Sequence, residues 1–229
     1  MRILHLYPDL MNLYGDYANV TVLAKHLQDI GIDVTVDRKE IQDLFDPGLY
    51  DFIYMGSGTE SAQIAALNDL LNYRMFLKKY IEDDKVILFT GNAMELFGRM
   101  IDERKALGFV DFAVKIDPDK RYTGDVIVKN EQLGELVGFI NKSSLITGGS
   151  DSRLFDYVFR HSELPDNDYE GYRYRNLFGT HLLGPVLVKN PTFLELIMKL
   201  LAKEKYLPFS YQNEADAYDV TLSELKKRK

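Results

Sequence analysis

The sequence has no cysteine among its 229 residues, which excludes thiol chemistry and fits a reducing compartment. Its 28 Lys and Arg residues stand against 35 Asp and Glu, a net charge of −7 that argues against a general nucleic-acid binder. The basic cluster at 226–229 is expected to be a solvated helix end. Since no apolar run approaches the roughly 18 residues of a membrane helix and no signal peptide precedes the first strand, we expect a cytoplasmic protein without a membrane span.

Signatures of metal and nucleotide sites are also missing. The four histidines lie singly along the chain, without the close His, Asp and Glu spacing that is typical of zinc ligands. There is no Walker A motif, and no Gly-x-Gly-x-x-Gly follows the first strand. We therefore expect neither a dedicated metal site nor a cofactor.

The first half of the chain alternates strand-like and helix-like segments. The predicted strands are 3–7, 32–36, 50–55 and 86–89, and the predicted helices are 19–30 and 64–82. This alternation predicts an α/β fold with a mostly parallel, helix-covered sheet, whose ligand sites lie beyond the carboxyl ends of the strands. The loops 8–16 and 56–60 and the turn at Gly91 should therefore meet at one edge.

Short β-prone pieces in the second half predict antiparallel strands added to this core. These pieces are 108–114, 124–129, 136–141, 145–147, 173–178 and 185–188. An amphipathic helix should begin at Pro191, a helix break is expected at Pro208, and residues 207–221 should form a looser, partly exposed tail. We expect one domain over residues 1–203 and a C-terminal tail over 204–229.

Residues 86–98 have the form of a strand, a sharp turn and a helix, with Gly91 at the apex. In α/β hydrolytic enzymes this arrangement holds a Ser or Cys nucleophile above the sheet and aims backbone N–H groups at an oxyanion. Here the apex residue has no side chain. An ordinary turn glycine is the alternative interpretation.

Three ordered motifs resemble CobB/CobQ-type glutamine amidotransferases, and in particular the GatD type. They are LHLYPDLMNLYGD at 4–16, YDFIYMGSG at 50–58 and GTHLLGPVLVKNP at 179–191, and the resemblance spans roughly residues 1–203. It implies the class I amidotransferase fold, a flavodoxin-like three-layer sandwich. It also implies a family that releases ammonia from glutamine and passes it to a synthetase partner, which for the GatD type is a Mur-ligase-like subunit in peptidoglycan precursor amidation.

Neither catalytic side chain of that family is retained. The family's Cys-Gly-Gly-Tyr-Gln-Leu-Leu-Gly elbow matches residues 91–98 without gaps, which places Gly91 at the nucleophile. Its Gly-Thr-Tyr-Leu-His-Gly-Pro motif matches 179–185, which places His181 at the tyrosine and Leu183 at the general base. Thr90, one residue from the apex, and His181 are the possible substitutes, although Thr90 would still need a base.

Other pocket positions carry two interpretations each. The candidate ligand-binding residues are Asp16, Gly56, Ser57, Gly58, Asn92 and Arg121. The glycine-rich loop either offers an oxyanion N–H or serves tight packing, and Asp16 either binds a ligand amine or caps the helix that follows. Arg121 matches a basic residue that could meet a substrate carboxylate, or is a solvated charge. Lys142 replaces the histidine of the family's Gly-Phe-Glu-Asn-His, which puts that site in doubt.

Three functions remain open. The first is a non-catalytic companion of a Mur-ligase-like or other synthetase subunit, which binds glutamine or a related small amide or carboxylate. The second is an active amidotransferase whose missing groups come from a partner or from Thr90. The third is a small-molecule sensor, which predicts stabilisation by a ligand without turnover and without an obligate partner.

Overall fold

A computed structural model describes residues 1–161, 164–165 and 168–228. The strands are β1 (Arg2–Leu6), β2 (Thr35–Lys39), β3 (Phe52–Met55), β4 (Val86–Thr90), β5 (Met100–Ile101), β6 (Arg104–Lys105), β7 (Phe112–Ile116), β8 (Tyr122–Asn130), β9 (Gly134–Lys142), β10 (Ser144–Gly148), β11 (Arg153–Arg160), β12 (Tyr169–Tyr174) and β13 (Leu177–Thr180). The α-helices are α1 (Tyr17–Asp29), α2 (Glu60–Leu70), α3 (Arg74–Glu82), α4 (Val186–Lys189), α5 (Pro191–Ala202) and α6 (Gln212–Lys226).

The main sheet has nine strands in the order β2-β1-β3-β4-β13-β12-β11-β8-β9. Strands β2, β1, β3, β4 and β13 pair in parallel, and the remaining strands are added in antiparallel fashion. The predicted α/β architecture, a parallel core with antiparallel additions, is confirmed. The carboxyl ends of β3, β4 and β13 therefore lie side by side.

Hydrophobic cores cover both faces of this sheet. Ile3 of β1 packs into the cluster that contains residues of α1 and α5, whereas Leu4 and Leu6 pack into the cluster that contains residues of α2 and α3. This alternation follows from the two-residue period of a strand. Strands β3 and β4 are buried along their whole length, as expected of parallel strands with helices on both sides.

A second, four-stranded sheet has the order β10-β7-β5-β6. The predicted strands at 108–114 and 145–147 belong to this sheet rather than to an extension of the parallel core. Strands β7 and β10 pair antiparallel, from Phe112 with Gly148 to Ile116 with Ser144. The Phe112 ring stacks on Tyr172 of β12 with 4.2 Å between ring centroids, and this contact packs the small sheet against the large one.

The prediction of one continuous helix over 64–82 is wrong. A 3-10 turn over Leu71–Tyr73 separates α2 from α3. Tyr73 departs from helical geometry, with φ −98° and ψ 0°, and its ring stacks on Phe45 at 4.0 Å between centroids. The Tyr73 ring packs against Phe45 at the point where the helix breaks, although the periodicity of the segment alone favours one helix.

Two predicted strands near the end of the domain also differ. Residues 173–178 form parts of β12 and β13, joined by a turn at Arg175 with a φ of 53°. Residues 186–189 form the short helix α4 instead of a strand, although Val-Leu-Val favours β structure. The Asn190 side chain donates to Val186 O and also bonds both backbone groups of Val137, and these bonds fix α4 against β9.

The C-terminal segment is more ordered than the predicted loose tail. It contains the fifteen-residue helix α6, whose Leu225 packs against Ile127 and Val137 of the main sheet. The basic end of this helix forms ion pairs between Lys226 and Glu135 and between Arg228 and Asp125. Within the described residues, no helix is both long and apolar enough to span a membrane.

The 3-10 helix over Gly91–Phe97 rests on Gly179 of β13, and this contact yields a prediction about stability. A Cβ at position 179 would overlap Met94 Cγ and approach Phe97 Cε2 to 3.1 Å. Gly179→Ala should therefore lower the free energy of unfolding by about 1–3 kcal/mol, measured by urea denaturation. Gly48→Ala is the matched control, because only the flexible Asp46 side chain lies near that Cβ. Equal unfolding midpoints for the two variants would contradict this packing.

Candidate functional site

The candidate site begins where β4 ends. Thr90 has extended backbone geometry, Gly91 turns the chain with a φ of +61°, and a 3-10 helix over Gly91–Phe97 follows. The predicted strand, turn and helix are therefore present, with 3-10 in place of α geometry. A side chain at positive φ costs about 1–3 kcal/mol, and glycine at the apex avoids that cost.

Gly91 and Leu183 lie next to each other, as the ungapped match requires. A Cβ at position 91 would approach Leu183 Cδ2 to 3.2 Å and would overlap the Cβ of Ser57. The two positions assigned to nucleophile and base therefore face each other, with a glycine on one side and an aliphatic side chain on the other. Ser57 further fills the space that a side chain at the apex needs.

Two backbone N–H groups of the glycine-rich loop are bound by side chains of the protein itself. Ser57 N donates to Asp16 Oδ2 at 2.7 Å, and Gly58 N donates to Asn92 Oδ1 at 3.0 Å. The Asn92 amide also donates to Gly58 O at 2.9 Å. An oxyanion hole at such an elbow combines the N–H of the residue after the apex with one N–H of this loop, and both of these loop N–H groups already have acceptors.

Asp16 is not a helix cap. Its side chain makes no capping bond to α1; instead Asn12 Oδ1 accepts from Tyr17 N at 2.7 Å. Asp16 is fully buried, and it accepts a second hydrogen bond from Ser57 Oγ at 2.5 Å. Burial raises the pKa of Asp16 to about 6, although the hydrogen bonds from Ser57 oppose this shift.

Close packing explains the glycines of this loop. A Cβ at Gly56 would lie 2.6 Å from Asp16 Cβ and 2.7 Å from Met11 O. A Cβ at Gly58 would overlap Met11 Sδ. The packing interpretation of this loop therefore accounts for both residues.

The Thr90 hydroxyl points into the core. Its Oγ1 lies 2.8 Å from the Tyr54 hydroxyl, which also accepts from the Asn19 amide at 2.8 Å, and Thr90 has no exposed surface. Burial raises the pKa of Tyr54 well above its ordinary value, so this phenol stays neutral. Thr90 has the surroundings of a core residue.

His181 lies between two buried carboxylates. Its Nε2 is 3.1 Å from Glu95 Oε1, and its Nδ1 is 3.4 Å from Glu170 Oε1. Glu170 also accepts from His181 N and from Thr180 Oγ1, at 2.6 Å each. His181, Glu95 and Glu170 are each less than 5% exposed, so His181 is a buried residue whose two ring nitrogens both have partners rather than a free catalytic group.

Glu95 is the centre of this buried network. In addition to His181, it accepts hydrogen bonds from Ser144 Oγ and from Gln63 Nε2. Burial alone would raise the pKa of Glu95, but these hydrogen bonds and the His181 charge hold it below its ordinary value. Sequence reasoning does not identify Glu95 or Glu170. The available signal is the position of Glu95 within the otherwise apolar run 93–97, where a carboxylate needs partners.

A small polar cleft opens beside the loop. Four of the predicted ligand-binding residues line it: Ser57, Gly58, Asn92 and Arg121. Asp16, Gly56, Gly91, His181 and Leu183 are not part of the lining. The cleft has a volume of about 70 Å³, well below the roughly 300–1,000 Å³ of ordinary ligand pockets.

Arg121 closes one side of this cleft. Its guanidinium donates to Glu60 Oε1 at 2.9 Å, and Ser143 Oγ donates to the same oxygen at 2.8 Å. Both charged partners are almost half exposed. Arg121 therefore lines the cleft, but its guanidinium is already paired with the carboxylate of Glu60.

The buried Asp16 carboxyl predicts how stability depends on pH. Its folded pKa is raised, so its contribution to stability is present at low pH and is lost as the pH rises from about 4 to about 7. Asp16→Asn keeps an acceptor for Ser57 and should remove up to about 3 kcal/mol of this dependence. The measurement is urea unfolding of both proteins across that range.

The variant is compared with the native chain because a second buried group acts in the opposite direction. Burial lowers the pKa of His5 to about 4, so the contribution of His5 to stability is lost as the pH falls rather than as it rises. Parallel pH profiles for the native chain and the variant would show that the Asp16 pKa is not raised.

Comparisons with known proteins bear on the whole chain. Residues 2–191 match the model of the CobB/CobQ-like glutamine amidotransferase domain. The chain is similar to the lipid II isoglutaminyl synthase (glutamine-hydrolyzing) subunit GatD of Streptococcus pneumoniae, at 29% identity over 90% of this chain and 82% of the relative. The corresponding Staphylococcus aureus subunit is 28% identical, over 94% and 91%.

Solved structures agree on the fold. PurLQS from Thermotoga maritima aligns with a TM-score of 0.55 at 16% identity, over 96% of this chain and 98% of that one. The glutaminase domain of Trypanosoma brucei CTPS with bound acivicin aligns with a TM-score of 0.52 at 13% identity, over 90% and 96%. The chain therefore belongs to the CobB/CobQ-like glutamine amidotransferase family.

Proposed function

We propose that this chain is a GatD-like amidotransferase homologue without glutaminase activity, which acts in the cytoplasm as a non-catalytic partner of a Mur-ligase-like or other synthetase subunit. The observation that carries the proposal is the pairing of Gly91 with Leu183 at the apex of the elbow. A thioester mechanism uses a thiol and a base as one unit, and it loses most of its rate when either group is missing. Neither group is present here.

The blocked loop N–H groups support the same proposal. Asp16 and Asn92 accept from Ser57 N and Gly58 N, the loop N–H groups from which one oxyanion donor would come. Loss of one oxyanion donor alone costs about 10²–10³ in kcat. A partner that supplied a nucleophile would still meet a loop whose donors are occupied.

The alternative of an active enzyme depends on Thr90, and the geometry disfavours it. The Thr90 hydroxyl is buried against Tyr54, and within the described residues no histidine or carboxylate is hydrogen-bonded to it. A threonine nucleophile needs a neighbouring base to accept its proton.

Relatives named as subunits support the partner half of the proposal. Both GatD relatives are parts of a lipid II isoglutaminyl synthase, and this chain aligns with most of their length. A chain that keeps the fold without the catalytic groups can still bind a partner subunit through its surface.

Glutamine hydrolysis provides the first test. The purified native chain should release no ammonia from glutamine above background, alone or with a candidate ligase. The variant Ser57→Gly, Gly91→Cys, Leu183→His should gain only weak turnover: it introduces thiol and base and removes the Ser57 Cβ that overlaps the apex, while the two loop N–H groups stay bound to Asp16 and Asn92.

The matched control is the double variant Ser57→Gly, Leu183→His. It should release no ammonia above background because it lacks the thiol. Turnover by the native chain that disappears in Thr90→Ala would overturn the proposal in favour of the Thr90 enzyme.

Association provides the second test. Co-expressed with a Mur-ligase-like synthetase from its own source, the chain should elute with it in size-exclusion chromatography, whether or not glutamine is present. The streptococcal GatD subunit with its own companion subunit is the positive control. Separate elution, together with stabilisation of the isolated chain by a small molecule, would instead support the sensor alternative.

A further inference from the structure

The outer side of α3, together with the segment that precedes β3, exposes several large apolar side chains. They are 37–85% exposed, and we call them the α3 patch: Leu44, Leu49, Leu71, Met75 and Phe76. Single exposed apolar residues are normal on a protein surface, whereas contiguous ones mark sites of association. The question is whether these five form one surface and what covers it.

Packing between the two segments makes the α3 patch continuous. The Phe45 ring stacks on Tyr73 with 4.0 Å between centroids, and the Tyr73 hydroxyl donates to Asp43 O at 3.3 Å. The 3-10 helix Pro47–Leu49 packs against α3. Residues 71 and 75 are four apart and therefore neighbours on one side of the helical segment. The exposed side chains of both segments thus share one face of the molecule.

A hollow beside α3 adds a cation to this face. It has a volume of about 220 Å³, and its lining includes Lys78, Phe109 and Tyr174. Lys78 is exposed and lies three residues after Met75. Within the part of the chain that the structure describes, no carboxylate forms an ion pair with Lys78. The surface therefore offers apolar contact and a cation whose charge is not matched by the chain itself.

The carboxylates near the α3 patch already have partners within the chain. Two of them are ion-paired with Arg175 and with Lys79, and the other two accept backbone N–H groups. These four are Glu82, Asp83, Asp43 and Asp46. A twofold contact between two copies of this chain brings the same patch together from both sides. Lys78 would then meet no uncommitted carboxylate, so its charge favours a partner of different sequence.

We propose that the α3 patch is the surface through which this chain contacts its synthetase subunit, and that the partner presents an apolar surface with a carboxylate opposite Lys78. Methionine and aromatic side chains are enriched in the buried centre of protein interfaces, and charges at the rim add specificity. The inference rests on the proposed function, which supplies the partner, and adds where that partner binds. None of the five patch residues lines the cleft beside the elbow.

Truncation of the apolar side chains tests the patch. The candidate Mur-ligase-like synthetase is immobilised, and binding of the full native chain and of the double variant Met75→Ser, Phe76→Ser is measured by biolayer interferometry. The variant should bind at least tenfold more weakly, because it removes two large apolar contacts. Binding as tight as that of the native chain would overturn the proposal.

The matched control is the double variant Leu207→Ser, Val220→Ser. These two side chains are 57% and 65% exposed and lie in the C-terminal segment, outside the α3 patch. The control should bind as the native chain does. Both double variants change exposed side chains, so their thermal unfolding midpoints should match that of the native chain. An equal loss of binding in the control would overturn the assignment to the α3 patch.

Charge reversal tests the expected carboxylate of the partner. Lys78→Glu should weaken binding severalfold at low salt, and the difference from the native chain should shrink as salt is added, because exposed charges are screened. Lys129→Glu, at an exposed lysine of β8, is the control and should leave binding unchanged. Full binding by Lys78→Glu at low salt would overturn the charge assignment.

The outcomes separate this inference from the proposed function. If the native chain does not bind the synthetase at all, the partner half of the proposed function falls and this inference falls with it. If the native chain and the patch variant bind equally, the proposed function stands and only this inference falls. A native dimer in light scattering that Met75→Ser, Phe76→Ser converts to monomer would assign the α3 patch to a second copy and overturn the inference.

Discussion

The buried carboxylate of Glu95 connects the parts of the molecule that surround the elbow. It lies in the 3-10 helix after β4 and accepts from Gln63 of α2, from Ser144 of the small sheet and from His181 at the end of β13. Helix, small sheet and large sheet are thereby joined to one group that is 2% exposed. A donor that loses its acceptor in such a place costs about 1–3 kcal/mol, so the groups of this network depend on one another.

The surroundings of the elbow have a buried half and an accessible half. Asp16 and Asn92 accept from the loop amides of Ser57 and Gly58, which line the cleft, whereas Gly91 and Leu183 lie outside its lining. Arg121 and Lys142 remain on the accessible side. The fold of the glutamine amidotransferases is thus present, and the polar groups of the accessible half lie beside the elbow rather than at its apex.

Much of the architecture could be predicted from local pattern. Apolar strands alternating with periodic helices indicate the parallel core, and the ungapped motif matches assign Gly91 and Leu183 to the nucleophile and base positions. Both inferences depend only on order along the chain. The break at Leu71–Tyr73 and the helix α4 could not be predicted, because a ring stack and the Asn190 side chain override local preference there. The same limit applies to Glu95, whose partner His181 is 86 residues away in the sequence. Burial of Asp16 against Ser57 is likewise a tertiary contact, and the motif alone favours a cap.

Crowding at the apex also orders the mutational steps that would place a thiol and a base there. A cysteine that arose first at position 91 would overlap the Cβ of Ser57, and the protein would carry the strain before any base was present. A glycine that arose first at position 57 would remove the hydroxyl hydrogen bond to Asp16 Oδ2 and would add neither a thiol nor a base. Neither first step is favourable by itself. Under the proposed non-catalytic function, packing at the apex therefore preserves this arrangement independently of any selection for its present role.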